Sequence, residues 1–172
     1  MGITPNTEIA ADAGLDLGNG INVDGHLRTS DANIFAAGDV ANAYNPRLGW
    51  SLRVEHWENA RRQGATAAKT MLGQDAVDTR PSYFFSDQYD LGMEYTGDIG
   101  PSGYDQVVFR RHADPRRLIV FWLDEERVLA GMNINVWDVT DAVQALIRAG
   151  RPVDEARLTD PGVPLEELLP AG

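Results

Sequence analysis

Cysteine is absent from all 172 residues. Its absence removes disulfide frameworks, thiol nucleophiles, cysteine-rich zinc sites and any redox-active cysteine pair, so redox chemistry involving this chain must come from a cofactor. Positive charge is scarce: 15 Lys plus Arg stand against 26 Asp plus Glu, a formal net charge of -11. Nucleic-acid binders concentrate cations to displace phosphate counterions, so neither nucleic acid nor an anionic membrane is expected as a partner. Long apolar runs are also lacking. No stretch approaches the roughly 20 residues of a membrane span, and the N-terminus has no basic segment leading into a hydrophobic one, so a cytoplasmic protein is expected. His26, His56 and His112 lie far apart, without i,i+4 spacing or neighbouring ligands, and no metal is expected.

What is present suffices for an ordered fold. Hydrophobic residues make up 43% of the chain, enough for a core, and the length suits one ordinary domain or one and a half small ones. Residues 5–14 (PNTEIAADAG) predict a short helix, with Asn6 or Thr7 as cap and Gly14 as stop. Ile21 and Val23 alternate with polar neighbours, and Asp24-Gly25 is a turn signal before a second short strand around Leu27, a small hairpin. The run Asn33–Ala37 (NIFAA) reads as a strand covered on both sides, ended by Gly38-Asp39. After a loop over 43–53, the segment Val54–Leu72 predicts a helix with Trp57, Ala60, Ala65, Ala68, Met71 and Leu72 on one apolar face and Gly73 as its end.

Composition shifts near 73–82 and divides the chain into 1–75 and 76–172. Beyond the shift, strand-like segments at 91–97, 106–111, 117–123 and 127–135 are separated by polar turns and predict an antiparallel meander. Asp138 or Thr140 caps a helix through Ala149 with Val139, Val143, Leu146 and Ile147 as its apolar face, and a short helical turn is expected at 164–169. The fold class is therefore α/β in the first part and α+β in the second. Arg110, Arg111, Arg116 and Arg117 bracket a turn, which reads either as a solvated hairpin tip or as a basic patch for an acidic partner.

A strand that ends in Gly-Asp sets an acceptor at the carboxyl edge of a sheet, where open α/β folds bind ligands. Gly38 lacks the Cβ that would hold a ligand off the backbone. A helix following within a loop's reach directs unpaired N–H groups and a partial charge of about +0.5 toward the same crevice. Taken alone, a Gly-Asp pair is also a common turn.

The segments TPNTEIAADAGL, GINVDGHLRTSDANIFAAGDVA, RVEHWENARRQGATAAKTMLG and YFFSDQY resemble, in order and spacing, the flavoprotein pyridine-nucleotide reductases. The likeness is to the ferredoxin, rubredoxin and putidaredoxin reductase group, with apoptosis-inducing factor as a relative, and it spans nearly the whole chain. It implies that residues 1–75 are the remnant of a Rossmann-like FAD domain, and that 76–172 form a C-terminal reductase domain with an antiparallel sheet and packed helices. The resemblance further implies that Gly38, Asp39 and Val40 belong to a second FAD fingerprint, Asp39 hydrogen-bonding a ribityl hydroxyl. By the same likeness Glu55, His56 and Trp57 face the pyrimidine end of the isoalloxazine, and Phe85 stands where relatives often carry a tryptophan close to the flavin. Trp57 as a core anchor, Glu55 as a helix N-terminal acid, and Phe84 and Phe85 as a buried edge are the plain alternatives. FAD, NAD(P)H as co-substrate and a ferredoxin-like iron-sulfur acceptor follow from the resemblance; no side chain reads as an acid, base or nucleophile.

Neither of the family's two Gly-rich dinucleotide loops occurs here: GLDLGNG has glycines without the strand and helix the fingerprint requires. The chain is thus expected to correspond to the C-terminal portion of such an enzyme and to bind FAD weakly or not at all by itself, its first unit either rearranging, pairing with a second copy as a homodimer, or waiting for a missing N-terminal portion. A stand-alone interaction or dimerisation module, or one subunit of a split flavoprotein, are the rival readings.

Overall fold

The computed structural model describes residues 2–169. These fall into two compact units, Met1–Arg80 and Pro81–Gly172, each with its own core. Among the described residues no helix is long and apolar enough to cross a membrane.

The first unit opens with α1 (Glu8–Asp12), whose Thr7 side chain makes no capping hydrogen bond. A four-stranded sheet follows, in the order β1 (Leu17–Gly18), β2 (Gly20–Val23), β3 (Ala41–Asn45) and β4 (Trp50–Leu52). Strands β2 and β3 are parallel and the outer pairs antiparallel. The Asp24 carboxylate accepts the His26 and Arg28 amides at 2.8 and 2.9 Å and so folds the Asp24-Gly25 turn. No strand forms around Leu27; a single antiparallel bridge joins Arg28 to Phe35.

The NIFAA run likewise departs from expectation: Asn33 lies in a turn, Ile34–Ala37 form no strand beyond one bridge at Phe35, and β3 begins only after Gly38-Asp39. An apolar run becomes a strand where neighbours complete its ladder. Here Ala36 N–H donates to Leu27 O and Thr29 N–H to Ile34 O, which is one narrow contact and no ladder. The expected loop at 43–53 is instead the β3–β4 hairpin, where the Asn45 side chain accepts the Arg47 amide at 3.0 Å.

Helix α2 (Trp57–Met71) presents a face opposite to the expected one. Its buried residues are Asn59, Gln63, Thr66, Ala67 and Thr70, whereas Trp57, Met71 and Leu72 are 67%, 61% and 77% exposed. Polar side chains can face inward because each finds a partner: Thr66 and Thr70 donate to the carbonyls of Arg62 and Thr66, and Asn59 to Val54 O. Ala67 then packs into the small cluster of Val23, Leu27, Ala36 and Ala41.

The second unit is a five-stranded antiparallel sheet, β5 (Tyr83–Gln88), β6 (Leu91–Gly97), β7 (Gln106–Arg111), β8 (Leu118–Asp124) and β9 (Arg127–Ile134). Its order, β5-β6-β9-β8-β7, keeps a meander only for β7, β8 and β9; β6 pairs with β9 and not with β7. Strand β5 adds an edge that the sequence pattern does not mark.

Helix α3 (Thr140–Ala149) packs Val143, Leu146 and Ile147 against Ile119, Phe121, Leu123 and Val128 of the sheet. Each such fully buried aliphatic or aromatic side chain contributes roughly 1.5–3 kcal/mol. Thr140 does not cap α3; its hydroxyl donates to Glu94, which also accepts from Tyr83 and Asn133 and so ties β5, β9 and α3 together. A further short helix, α4 (Glu155–Thr159), is capped by Asp154, and a 3-10 turn covers Leu165–Leu168.

Arg110 is 5% exposed on the inner face of β7. It donates to Leu158 O at 3.2 Å and to Val163 O, holding the chain around α4 against the sheet. Burial lowers its pKa, opposed by the nearby charges of Asp160 and Glu166. Arg110→Met removes two charge-assisted bonds to buried carbonyls and is expected to destabilise the chain by about 3 kcal/mol, read from urea unfolding curves.

Tyr95 stacks on Phe84 with ring centroids 4.6 Å apart and meets Trp122 edge-on at 5.6 Å. Burial, then the charge of Asp98, pushes its phenol up from 10.0 to about 12. The folded state therefore holds this proton more tightly than the unfolded one, and the associated stability is lost as pH rises from about 10 to about 12. Spectrophotometric titration should show one phenolate appearing late, a step that Tyr95→Phe removes together with that part of the alkaline loss of stability.

Candidate functional site

Asp39 sits in a turn, Gly38 to Ala41, closed by Ala41 N–H donating to Gly38 O at 2.9 Å. The turn is held from outside at two points. Gly38 N–H donates to the buried Gln63 Oε1 at 2.7 Å, and Asp39 O accepts from Arg53 Nη1 at 3.0 Å. Gly38 has φ +82, and a Cβ there would lie 3.2 Å from Ala60 Cβ, so backbone conformation and proximity to α2 both favour glycine. Val40, half-buried, starts the parallel ladder by accepting Ile21 N–H at 2.8 Å.

The Asp39 carboxylate is exposed and makes no hydrogen bond or ion pair with any described residue. A fixed turn thus presents a free acceptor. This is a preorganised arrangement for a hydroxyl-bearing ligand, since the backbone is already ordered before the ligand arrives.

Glu55 lies just before α2. It pairs with Arg53 Nη2 at 2.8 Å and accepts Ile3 N–H at 3.2 Å. His56 is the N-cap residue, its Nδ1 accepting Glu58 N–H at 3.2 Å. Trp57 is no core anchor: it is largely exposed, with Arg61 stacked over its ring at 5.4 Å. Phe85 belongs to the second unit, on β5, 44% exposed and 6.4 Å from the ring of Tyr83.

Within the first unit, then, the structure connects Gly38, Asp39 and Val40 to the head of α2 and to Glu55. The connecting residues, Arg53 and Gln63, were not singled out by sequence. Nothing in an Arg-x-Glu triplet or a mid-helix glutamine announces bonds to positions 14 and 25 residues away.

The four arginines of the hairpin tip separate. Arg110 is buried, Arg111 lies over the Phe109 ring at 4.9 Å, Arg116 pairs with Asp90 at 2.8 Å, and Arg117 donates to Asn135 O. Arg110 thus leaves the tip, while Arg111, Arg116 and Arg117 stay exposed there. Among the described residues no group of His, Cys, Asp and Glu could hold a metal.

Two family models match the chain: "Reductase C-terminal" over residues 83–169, and "Pyridine nucleotide-disulphide oxidoreductase" over 1–64. The chain is 40% identical, over 98% of its length, to the ferredoxin–NAD(+) reductase component of the anthranilate 1,2-dioxygenase system of Burkholderia cepacia. It is 33% identical, over 99% of its length, to putidaredoxin reductase of Pseudomonas putida. It spans 41% and 40% of the lengths of these two proteins. The crystal structure of a covalent putidaredoxin reductase–putidaredoxin complex matches 97% of the chain with a TM-score of 0.87 at 34% identity, which is 40% of that chain.

Gln63→Leu keeps the volume but leaves the Gly38 amide without its buried acceptor. The expected loss is about 2 kcal/mol of stability in chemical denaturation, together with faster hydrogen exchange at the Gly38 amide.

Proposed function

Because the chain belongs to the reductase C-terminal family, we propose that it forms the C-terminal portion of an FAD-dependent reductase carrying electrons from NAD(P)H through FAD to a ferredoxin-like iron-sulfur protein. In this reading residues 1–75 complete the dinucleotide-binding part and 76–172 are the C-terminal reductase domain. The two matched spans, 1–64 and 83–169, support that division. Names of relatives that reduce ferredoxins and putidaredoxin support the acceptor class. A cytoplasmic location goes with the reading, as that is where NAD(P)H is supplied.

The observation that carries the reading is the Asp39 carboxylate, exposed and uncommitted on a turn that two long-range hydrogen bonds hold. These residues fit a flavin's polyhydroxyl arm. A carboxylate only accepts hydrogen bonds, and a ribityl hydroxyl is a donor. Gly38, with no side chain, leaves the backbone open to close approach. The head of α2, with His56 as its cap and Glu55 and Trp57 beside it, supplies a positive dipole end suited to the electron-rich pyrimidine edge. In the second unit, Phe85 presents a half-exposed apolar ring on β5. When bound, FAD supplies hydride acceptance and single-electron release, chemistry that no side chain of this chain offers.

In the full-length polypeptide, purified protein should carry visible flavin absorbance that NADH or NADPH bleaches. Asp39→Ala should raise the FAD dissociation constant by about tenfold or more, the loss of a hydrogen bond to a charged group. A colourless full-length protein, or an Asp39→Ala variant that keeps its flavin as tightly as the parent, would sink the reading.

A further inference from the structure

Arg53 is 9% exposed in its side chain and directs its guanidinium to three separate segments. Nε donates to Asn19 Oδ1 at 3.2 Å, Nη1 to Asp39 O at 3.0 Å, and Nη2 to Glu55 Oε1 at 2.8 Å. Glu55 passes the connection on to a fourth segment through the Ile3 amide. Gly20 makes room for this arrangement: its φ is +112, and a Cβ there would lie 3.0 Å from Arg53 Cδ and 2.4 Å from Val40 O. A planar fork of five donors can serve three acceptors at once, whereas a lysine ammonium on a flexible stem is a point charge.

The geometry points to Arg53 as a positioning residue for the flavin. It sets the Asp39 turn relative to Glu55 at the head of α2, the two places that hold the ribityl arm and the pyrimidine edge in the function proposed above, on which this inference rests. Two bonds do the positioning. The bond to Asp39 O fixes the peptide carrying the carboxylate, and the ion pair to Glu55 neutralises an acid that would otherwise stand unpaired beside the electron-rich ring.

Arg53→Met retains the length of the side chain and removes all three donors. In the full-length flavoprotein it should raise the FAD dissociation constant by about tenfold, with Arg53→Lys in between. It should also couple to Asp39. The penalty of Asp39→Ala, about tenfold in the parent background, should fall below about threefold in Arg53→Met, because a carboxylate on a released turn has little left to lose.

Additive penalties, or unchanged affinity in Arg53→Met while Asp39→Ala loses flavin, overturn the positioning role and leave the proposed function standing. Unchanged affinity in both overturns both. A measurement without flavin decides the clamp separately: in the 172-residue chain, Arg53→Met should speed amide exchange at Ile3 by about tenfold, and an unchanged rate refutes the clamp. Should Arg53→Met not fold, Arg53→Lys carries the same comparison.

Discussion

The 2.7 Å hydrogen bond from the Gly38 amide to the Gln63 side chain joins the turn bearing Asp39 to the second turn of α2. Both partners are buried, so neither can exchange the bond for water without cost. Much else in the first unit follows from it. A glutamine facing inward at position 63 requires the inner face of α2 to accommodate polar groups, and Asn59, Thr66 and Thr70 on that face are satisfied by nearby carbonyls. The small side chain of Ala60 lets the turn approach, and Gly38 takes up the positive φ that the approach demands. What would be an ordinary surface turn becomes a fixed platform for one carboxylate.

Arg53 extends the same logic on the other side of Asp39. One bond holds the Gly38 amide, on the near side of the residue before Asp39, and another the Asp39 carbonyl, so the turn is restrained on both sides of the carboxylate by side chains distant in sequence. Ligand binding to such a turn need not pay the ordering entropy of a free loop, which is of the order of 1–2 kcal/mol per residue. The carboxylate can remain exposed and solvated until a hydroxyl replaces water.

How much of this could be read in the sequence depended on whether the information was local. Strands β6 to β9 were legible because apolar alternation and polar turns mark each one. Their order was not, since β6 pairs with β9 across about forty residues and no local signal records that choice. The inward face of α2 was misread for a different reason: apolar periodicity assigns Trp57, Met71 and Leu72 to the core, but hydrogen bonds make Asn59 and Gln63 the better inward residues. Asn33–Ala37 has strand composition, yet it makes one bridge, from Phe35 to Arg28, and so forms no ladder. Asp39 was found through its Gly-Asp context and the family likeness. Arg53 was not, because its acceptors at 19 and 39 are remote in sequence and its neighbour Glu55 looks like any acid before a helix.

The match of residues 1–64 to a pyridine nucleotide-disulphide oxidoreductase model raises the question of which half of that description the chain can serve. A disulphide-exchanging centre needs a pair of thiols, and this sequence has no cysteine at all, so the likeness over these residues lies in scaffold and not in thiol chemistry. What the scaffold retains is the parallel β2–β3 pair, the braced Gly38-Asp39 turn and the head of α2, all suited to holding a large preformed redox group. Of the four arginines around the β7–β8 turn, Arg110 is committed to the inner face and Arg116 to Asp90, while Arg111 and Arg117 stay exposed, so the turn keeps cationic groups in an otherwise acidic chain.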